Sequence, residues 1–248
     1  MRRLRARIVD LTDAAPGVRV LGLVADGPFP FKAGQYAALS FRDGPWRDYS
    51  MANAPDASRL EFHIREEAGG GVSRLAVREL AIGEAVGVAG PFGEAYLREN
   101  HPGTILLVGG GTGLAPMMSI AETALRTRAA PSVRLYFGVR RAVDLYAEAV
   151  LAALTREWRD LSVVTALSDE RVPGHSHGLL ADVIAQDIDD ARNMTAYLAG
   201  PPAMVEGVRT VLMARGIAAI YADPFVSESE RAARAARGEG PAGRDALD

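Results

Sequence analysis

The chain of 248 residues contains no cysteine. That excludes disulfides, thiolate zinc sites, catalytic thiols and cysteine-ligated iron–sulfur clusters together. No apolar stretch reaches the roughly 20 residues needed to span a bilayer. The start, Met1-Arg2-Arg3-Leu4-Arg5, is basic but no apolar core follows it, so it does not read as a secretory signal. No strong charge excess is present either. The formal net charge is −3, which gives no bulk attraction to nucleic acid or to an anionic membrane. What remains is 48% hydrophobic and 24% charged residues, the balance of an ordinary globular protein. A cytoplasmic protein of one or two domains is the expectation.

The pattern of the chain changes once. Val18–Val24, Tyr36–Phe41, Leu60–Ile64 and Ala85–Val88 are short apolar or alternating runs separated by Gly, Pro, Asp and Asn. Such spacing predicts an antiparallel β-barrel or sandwich, interrupted by one helix near Val72–Leu80. After Pro102, strand-like and helix-like segments alternate: Ile105–Val108, Ala115–Thr127, Val133–Phe137, Leu145–Trp158, Leu161–Ala166, Leu179–Ala185, Thr195–Ala199, Ala203–Arg215 and Ile217–Ala222. Alternation of this kind predicts a parallel sheet with crossover helices. The expected division is a β domain over residues 1–100, an α/β domain over 101–227, and a disordered tail over 228–248, rich in Glu, Arg, Ala and Gly.

The segment Val108-Gly109-Gly110-Gly111-Thr112-Gly113-Leu114-Ala115-Pro116 joins a buried strand to a helix. Glycine permits close backbone approach there, and the N–H groups at the helix start favour an anion. A phosphate-bearing dinucleotide is the first guess. The spacing matches neither a P-loop nor Gly-x-Gly-x-x-Gly. Gly69-Gly70-Gly71-Val72-Ser73 opens the helix of the β domain in the same manner, so it is a second phosphate site or an ordinary N-cap. In Arg47-Asp48-Tyr49-Ser50, arginine can hold a phosphate bidentately, tyrosine can stack on a ring, and serine can donate at close range. Ala199-Gly200-Pro201-Pro202-Ala203-Met204 runs from a strand into a helix, and Ala222-Asp223-Pro224-Phe225 ends the last strand.

Taken in this order, the segments resemble the ferredoxin–NAD(P)H reductase family, in particular the reductase components of bacterial ring-hydroxylating dioxygenases. Supporting text includes Phe31-Lys32-Ala33-Gly34-Gln35-Tyr36, Arg47-Asp48-Tyr49-Ser50-Met51-Ala52, Phe62-His63-Ile64-Arg65 and Gly90-Pro91-Phe92-Gly93. Tyr136-Phe137-Gly138-Val139-Arg140 and Tyr221-Ala222-Asp223-Pro224-Phe225 continue it, and the likeness covers residues 1–227. It implies a flavin-binding β-barrel followed by a nicotinamide-binding α/β domain. By this resemblance Arg47 binds the flavin pyrophosphate, Tyr49 lies against the ring or ribityl chain, and Ser50 approaches flavin N5. His63, Ile64 and Arg65 lie along the ribityl–adenosine side. Gly71, Val72 and Ser73 face the pyrophosphate, which favours FAD. Gly110, Thr112 and Gly113 hold the nicotinamide dinucleotide, Gly200, Pro201 and Met204 border its nicotinamide half, and Phe225 shields the flavin face. Ser50 and Phe225 are the residues expected nearest the chemistry.

Two departures stand out. Ala199 occupies the position where the family usually has cysteine, and no iron–sulfur domain accompanies the reductase text. The resemblance therefore implies an FAD-dependent NAD(P)H oxidoreductase that passes electrons to a separate iron–sulfur protein, as in an oxygenase system, or to another one-electron acceptor, unless the sequence is part of a longer reductase. Alternatives are a reductase of free flavin and a non-catalytic nucleotide-sensing or scaffold subunit. No metal, nucleic-acid or membrane partner is expected. His175 and His177 read as a surface loop. Arg140-Arg141 suits a 2′-phosphate or an adenine stack, leaving NADH and NADPH both open. Arg2, Arg3 and Arg5 suit an acidic partner or a solvated terminus.

Overall fold

The computed structural model describes residues 2–99 and 101–225. The expected tail at 228–248 lies outside the described residues. Six strands make an antiparallel sheet: β1 (Arg2–Ala15), β2 (Val18–Ala25), β3 (Tyr36–Phe41), β4 (Arg47–Ser50), β5 (Leu60–Arg65) and β6 (Ala85–Phe92), in the order β4-β3-β6-β1-β2-β5. Its two edge strands come together through an antiparallel bridge between Met51 and Phe62, and Ala52 N–H donates to Glu61 O at 2.8 Å. The sheet thus curls into a nearly closed barrel around Ile8, Leu21, Leu39, Phe41, Met51, Phe62 and Val88, all at most 1% exposed. Each such Leu, Ile or Phe contributes about 1.5–3 kcal/mol by leaving water. Helix α1 (Gly71–Arg78) seals one end with Ala76 and Val77.

Strand β1 was absent from the sequence expectations, although it is the longest. It pairs with β2 on one side and β6 on the other, Ala6 opposite both Ala25 and Val86. Ala6 and Ile8 point inward while Arg3, Arg5 and Arg7 point out, so a run of arginines is the wet face of a barrel strand.

The second sheet is wholly parallel, with β7 (Thr104–Gly110), β8 (Val133–Val139), β9 (Leu161–Leu167), β10 (Ser176–His177), β11 (Met194–Gly200) and β12 (Ala219–Pro224) in the order β10-β9-β8-β7-β11-β12. The chain enters at β7, builds outward to β10, then returns to the other side of β7. The carboxyl ends of β7 and β11 therefore flank a topological switch point, where open α/β sheets bind ligands. Both faces are covered. Ile105 and Leu107 pack with α2 (Leu114–Thr127) and with Leu151 of α3 (Glu148–Glu157). Leu106 and Val108 pack with α4 (Leu180–Asp187) and α5 (Pro202–Ala214). Such two-sided burial explains the unbroken apolar text of β7.

Helix α3 starts later than its periodicity predicts. Residues 142–144 form a short 3-10 turn, and Leu145 is extended, so Tyr146 turns towards the barrel instead of joining the helix. The link between the sheets is fastened at both ends: Leu97 N–H donates to Ala33 O at 2.8 Å, and Arg98 N–H to the Tyr197 hydroxyl at 2.8 Å. The Arg98 guanidinium lies between the rings of Tyr96 and Tyr221, at 3.6 and 4.6 Å from their centroids. Among the described residues no helix is long and apolar enough to cross a membrane.

Candidate functional site

Strand β4 carries Arg47, Tyr49 and Ser50 beside β3, with Ser50 opposite Tyr36 and Arg47 opposite Leu39. Arg47 Nη1 donates to Trp46 O at 2.9 Å, which anchors the guanidinium at the start of the strand. Tyr49 is half-buried against Phe41, ring centroids 6.1 Å apart. Ser50 is only 7% exposed at the strand end. Three residues on, Asn53 meets the second domain: its carbonyl accepts from Ser119 Oγ of α2 at 2.7 Å, and its side-chain oxygen accepts from Glu61 N–H at 2.7 Å. Arg126 of α2 forks onto Asp56 at 2.9 and 2.6 Å. Helix α2 begins at the glycine-rich turn, and that turn, Gly111–Gly113, itself lies against β5. The barrel strands and the glycine turn therefore face each other across one cleft.

Strand β5 divides the three residues expected on the flavin. Ile64 is 1% exposed and belongs to the barrel core, so only its backbone can face a ligand. His63 is also buried, and both its ring nitrogens have partners: Nδ1 lies 3.0 Å from the Tyr146 hydroxyl and Nε2 lies 3.4 Å from Glu61 Oε1. The two rings meet edge to face at 5.3 Å. Burial pushes the Tyr146 hydroxyl well above its ordinary range, so it stays protonated. The hydrogen bond to His63 holds the Glu61 carboxyl below the usual range. Arg65 sits at the strand end with Nη2 3.5 Å from Asp144 Oδ1, while its buried Nε has no hydrogen-bond partner among the described residues. A buried guanidinium N–H aimed at nothing is costly and suits an anionic ligand.

At the start of α1, Ser73 turns inward. It is 5% exposed, accepts from Glu67 N–H at 3.0 Å and donates to Gly70 O at 3.4 Å. Its hydroxyl closes the loop, and the groups left for a phosphate are the first backbone N–H groups, from Gly71 and Val72 onward. A Cβ at Gly69 or Gly71 would meet nothing within 4 Å. An open groove of about 550 Å³ runs past these glycines, Glu67, Arg74 and Arg78.

The second glycine run divides by role. A Cβ on Gly113 would overlap the Ala199 carbonyl, and one on Gly110 would come within 2.5 Å of Met204 Sδ and 3.0 Å of Pro201. Gly200, at φ +140°, has Gly110 backbone atoms 3.0 Å from where its Cβ would stand. Gly110, Gly113 and Gly200 are thus required by the close approach of the β7 and β11 ends. Thr112 is half-buried in the turn. Gly111, at φ +56°, faces open space; the sequence reading passed over it, although it lay inside the quoted run. Phe225 is half-buried beside Tyr221 on the core, its N–H donating to Gly200 O at 2.8 Å. Gly200, Pro201, Met204 and Phe225 therefore form one edge of the cleft. Arg140 lies at the other edge, 80% exposed, with Nε 3.0 Å from Asp169 Oδ2. His175 and His177 sit apart, on Glu148 Oε1 at 3.4 Å and Glu170 O at 2.9 Å. Tyr146, Asn53 and Asp169 carried no motif signal.

The orphaned Arg65 Nε, the open Gly69 and Gly71, and the open Gly111 fit phosphate-bearing groups at two places, one on the barrel and one at the glycine turn of the parallel sheet. Comparison with known proteins gives the same pair. The oxidoreductase FAD-binding domain family matches residues 14–96, and the oxidoreductase NAD-binding domain family matches residues 107–210. The ferredoxin–NAD(P)+ reductase component of a Pseudomonas putida naphthalene 1,2-dioxygenase system is 40% identical over 227 residues, 90% of this chain and 69% of that protein. The corresponding component from a Ralstonia species, of naphthalene 1,2-dioxygenase/salicylate 5-hydroxylase systems, is 39% identical with the same coverage. The crystal structure of an Amycolatopsis cytochrome P450 reductase superposes with a TM-score of 0.84 at 36% identity, over 91% of this chain and 70% of that one. The chain belongs to the ferredoxin–NAD(P) reductase family of FAD- and NAD-binding oxidoreductases.

Proposed function

We propose that this protein takes electrons from NAD(P)H and delivers them, through FAD, to a separate iron–sulfur protein of an oxygenase system. The observation that carries this is the shared cleft: the barrel strands that would hold flavin and the turn that would hold nicotinamide are fastened face to face by Ser119–Asn53 and His63–Tyr146. When bound, flavin supplies a two-electron acceptor that releases electrons one at a time. The protein's part is alignment and charge. Arg47, Arg65 and the N–H groups of Gly71 and Val72 hold FAD phosphates; Tyr49 packs along the ring, and Ser50 donates a hydrogen bond at its edge. Gly111 and Thr112 admit the nicotinamide phosphates. Pro201 and Met204 would border the nicotinamide, and Phe225 would cover the flavin face and exclude water from it. The chain divides near residue 100 into these two working halves, and we place its activity in the cytoplasm, where reduced nicotinamide is available.

The test is direct. Purified protein is expected to be yellow with one FAD, identified by extraction and chromatography. It should oxidise NADH or NADPH with cytochrome c, ferricyanide or an added ferredoxin as acceptor. Recovery of FMN, or failure to take up FAD on reconstitution, refutes the flavin assignment. Rapid reduction and release of free flavin with every ferredoxin inert would replace the proposal with a free-flavin reductase.

A further inference from the structure

Away from the proposed ligand sites, the arginines of the barrel fall into two groups. Arg19, Arg42, Arg59 and Arg78 are each paired with an acid, Asp13 at 2.7 Å, Glu84 at 3.0 Å, Asp10 at 3.2 Å and Glu66 at 2.7 Å. At the start of β1 that pairing stops. Arg2 Nη1 donates to Pro28 O at 2.9 Å and Arg7 Nη1 to Gly83 O at 3.3 Å, and a carbonyl leaves the positive charge uncancelled. Arg3, Arg5 and Arg7 project outwards from alternate positions of β1, about 7 Å apart, and like charges so placed repel one another. The chain as a whole carries a net charge of −3, so this basic row is a local feature.

An indole lies in the middle of the row. Val86 and Val88 of β6 belong to the barrel core, so Gly87 between them faces outwards, directly opposite Arg5. A Cβ on Gly87 would stand 2.9 Å from Trp46 Cη2, so the missing side chain makes the seat of that ring. The Arg3 guanidinium lies 5.8 Å from the ring centroid. Trp46 keeps part of its surface in water, whereas Trp158 packs against the core of the second domain. Val24, 44% exposed and opposite Arg7 on β2, adds apolar surface beside the row. Tryptophan and arginine are the side chains that most often carry the binding energy of protein interfaces. The face also adjoins the proposed flavin site. Arg47 Nη1 holds the Trp46 carbonyl, and Tyr49 lies three residues, about 10 Å, further along the chain.

We propose that the outer face of β1 and β6, with Arg3, Arg5 and Arg7 around Trp46, is the docking surface for an acidic iron–sulfur protein that collects the electrons. Carboxylates of the partner pair with the arginines, and an apolar side chain covers the indole. Each NAD(P)H gives one NAD(P)+, one proton and two reduced acceptors, so two dockings complete one turnover. The inference rests on the electron-transfer role proposed above.

The experiment titrates the FAD-loaded protein with an oxidised, acidic plant-type [2Fe–2S] ferredoxin in a calorimeter at low salt. Reduction of the same ferredoxin by NADH or NADPH is then followed across ionic strength, with benzoquinone as a small uncharged acceptor. Arg3→Glu/Arg5→Glu should weaken ferredoxin binding and raise its KM roughly tenfold, flatten the salt dependence, and leave benzoquinone reduction at the wild-type rate. Trp46→Ala should weaken binding while keeping the salt dependence. Arg156→Glu/Arg159→Glu, an equal change of charge at exposed positions of the second domain, should bind ferredoxin as wild type does. Wild-type binding by the Arg3→Glu/Arg5→Glu protein, or equal weakening in the Arg156→Glu/Arg159→Glu protein, overturns the inference. So does a wild-type protein that reduces benzoquinone yet binds phosphatidylserine vesicles, or nothing, in place of ferredoxin. Failure to oxidise either nicotinamide with any acceptor refutes the proposed function instead.

Discussion

Substituting alanine at two glycines of one turn separates packing from ligand contact. At Gly113 the new Cβ would overlap the Ala199 carbonyl oxygen and lie 2.5 Å from its carbon and 2.9 Å from Gly200 N. All three are backbone atoms of a central parallel strand, so the turn has to move away from β11. Overpacking of this kind costs about 1–3 kcal/mol. In a protein of this size each kcal/mol lowers Tm by roughly 2–4 °C, so Gly113→Ala should melt roughly 2–12 °C below wild type. At Gly111 the Cβ meets nothing, and only the left-handed φ of +56° is penalised, by about 1–2 kcal/mol. Its methyl, however, projects into the space assigned to the nicotinamide phosphates. Thermal melting of the FAD-loaded protein, followed by circular dichroism, and titration with NAD+ give the two readouts. Gly113→Ala is expected to lose stability with little loss of NAD+ affinity in the protein that remains folded, and Gly111→Ala to melt roughly 2–8 °C low and to lose affinity as well. A Gly113→Ala protein that melts with wild type would refute the close approach of β7 and β11. A Gly111→Ala protein that binds NAD+ normally would remove this turn from the ligand site.

Four further outcomes are expected. Ser50→Ala should retain FAD yet slow flavin reduction in stopped flow, on the order of 10²–10³-fold by analogy with oxyanion donors; wild-type speed takes Ser50 out of the reaction. Tyr146→Phe leaves buried His63 Nδ1 without its 3.0 Å partner and should cost about 1–3 kcal/mol, read as a lower Tm; an unchanged Tm denies the contact. Glu61, whose folded pKa is depressed below 4.5, contributes stability that is complete above that value and lost as pH falls through the lower folded one. Glu61→Gln should therefore show a shallower decline of Tm below pH 4.5, and a parallel decline would contradict the assignment. Finally, with Arg3, Arg5 and Arg7 on the wet face of β1, reduction of an acidic ferredoxin should weaken with salt while that of a neutral acceptor does not; equal salt response argues for docking elsewhere.

How much of this was legible in the sequence depended on whether the cause was local. The alternation after Pro102 could be read because each strand and helix of a parallel sheet carries its own period. Strand β1 could not, because Arg2, Arg3 and Arg5 look like a solvated terminus until β2 and β6 are seen on either side. Gly110 and Gly113 read as ligand contacts because glycine next to a helix start is the phosphate signal. Packing against Ala199, Gly200 and Met204 requires glycine there as well, and those residues lie some 90 positions away in the chain but directly across the strand pair. Arg140 likewise read as a cation for a ligand, since its partner Asp169 sits on a neighbouring strand. His63 was legible as a member of the site, but Tyr146, which orients it, was hidden in a helical period that the chain leaves for three residues.

The link between the domains has a mechanical consequence. Leu97 and Arg98 are fastened to opposite halves, one to Ala33 and the other to Tyr197, and their Cα atoms are about 3.8 Å apart. Were the other fastenings released, two bodies pinned at so nearly a single point could rotate about it but not slide past each other. Turning about the link opens or narrows the space between the two halves. The gape of the cleft is governed separately, by the distant fastenings at His63–Tyr146 and Arg126–Asp56. Loosening those fastenings would free the two halves to turn about the link, whereas lengthening the link would free them to slide as well.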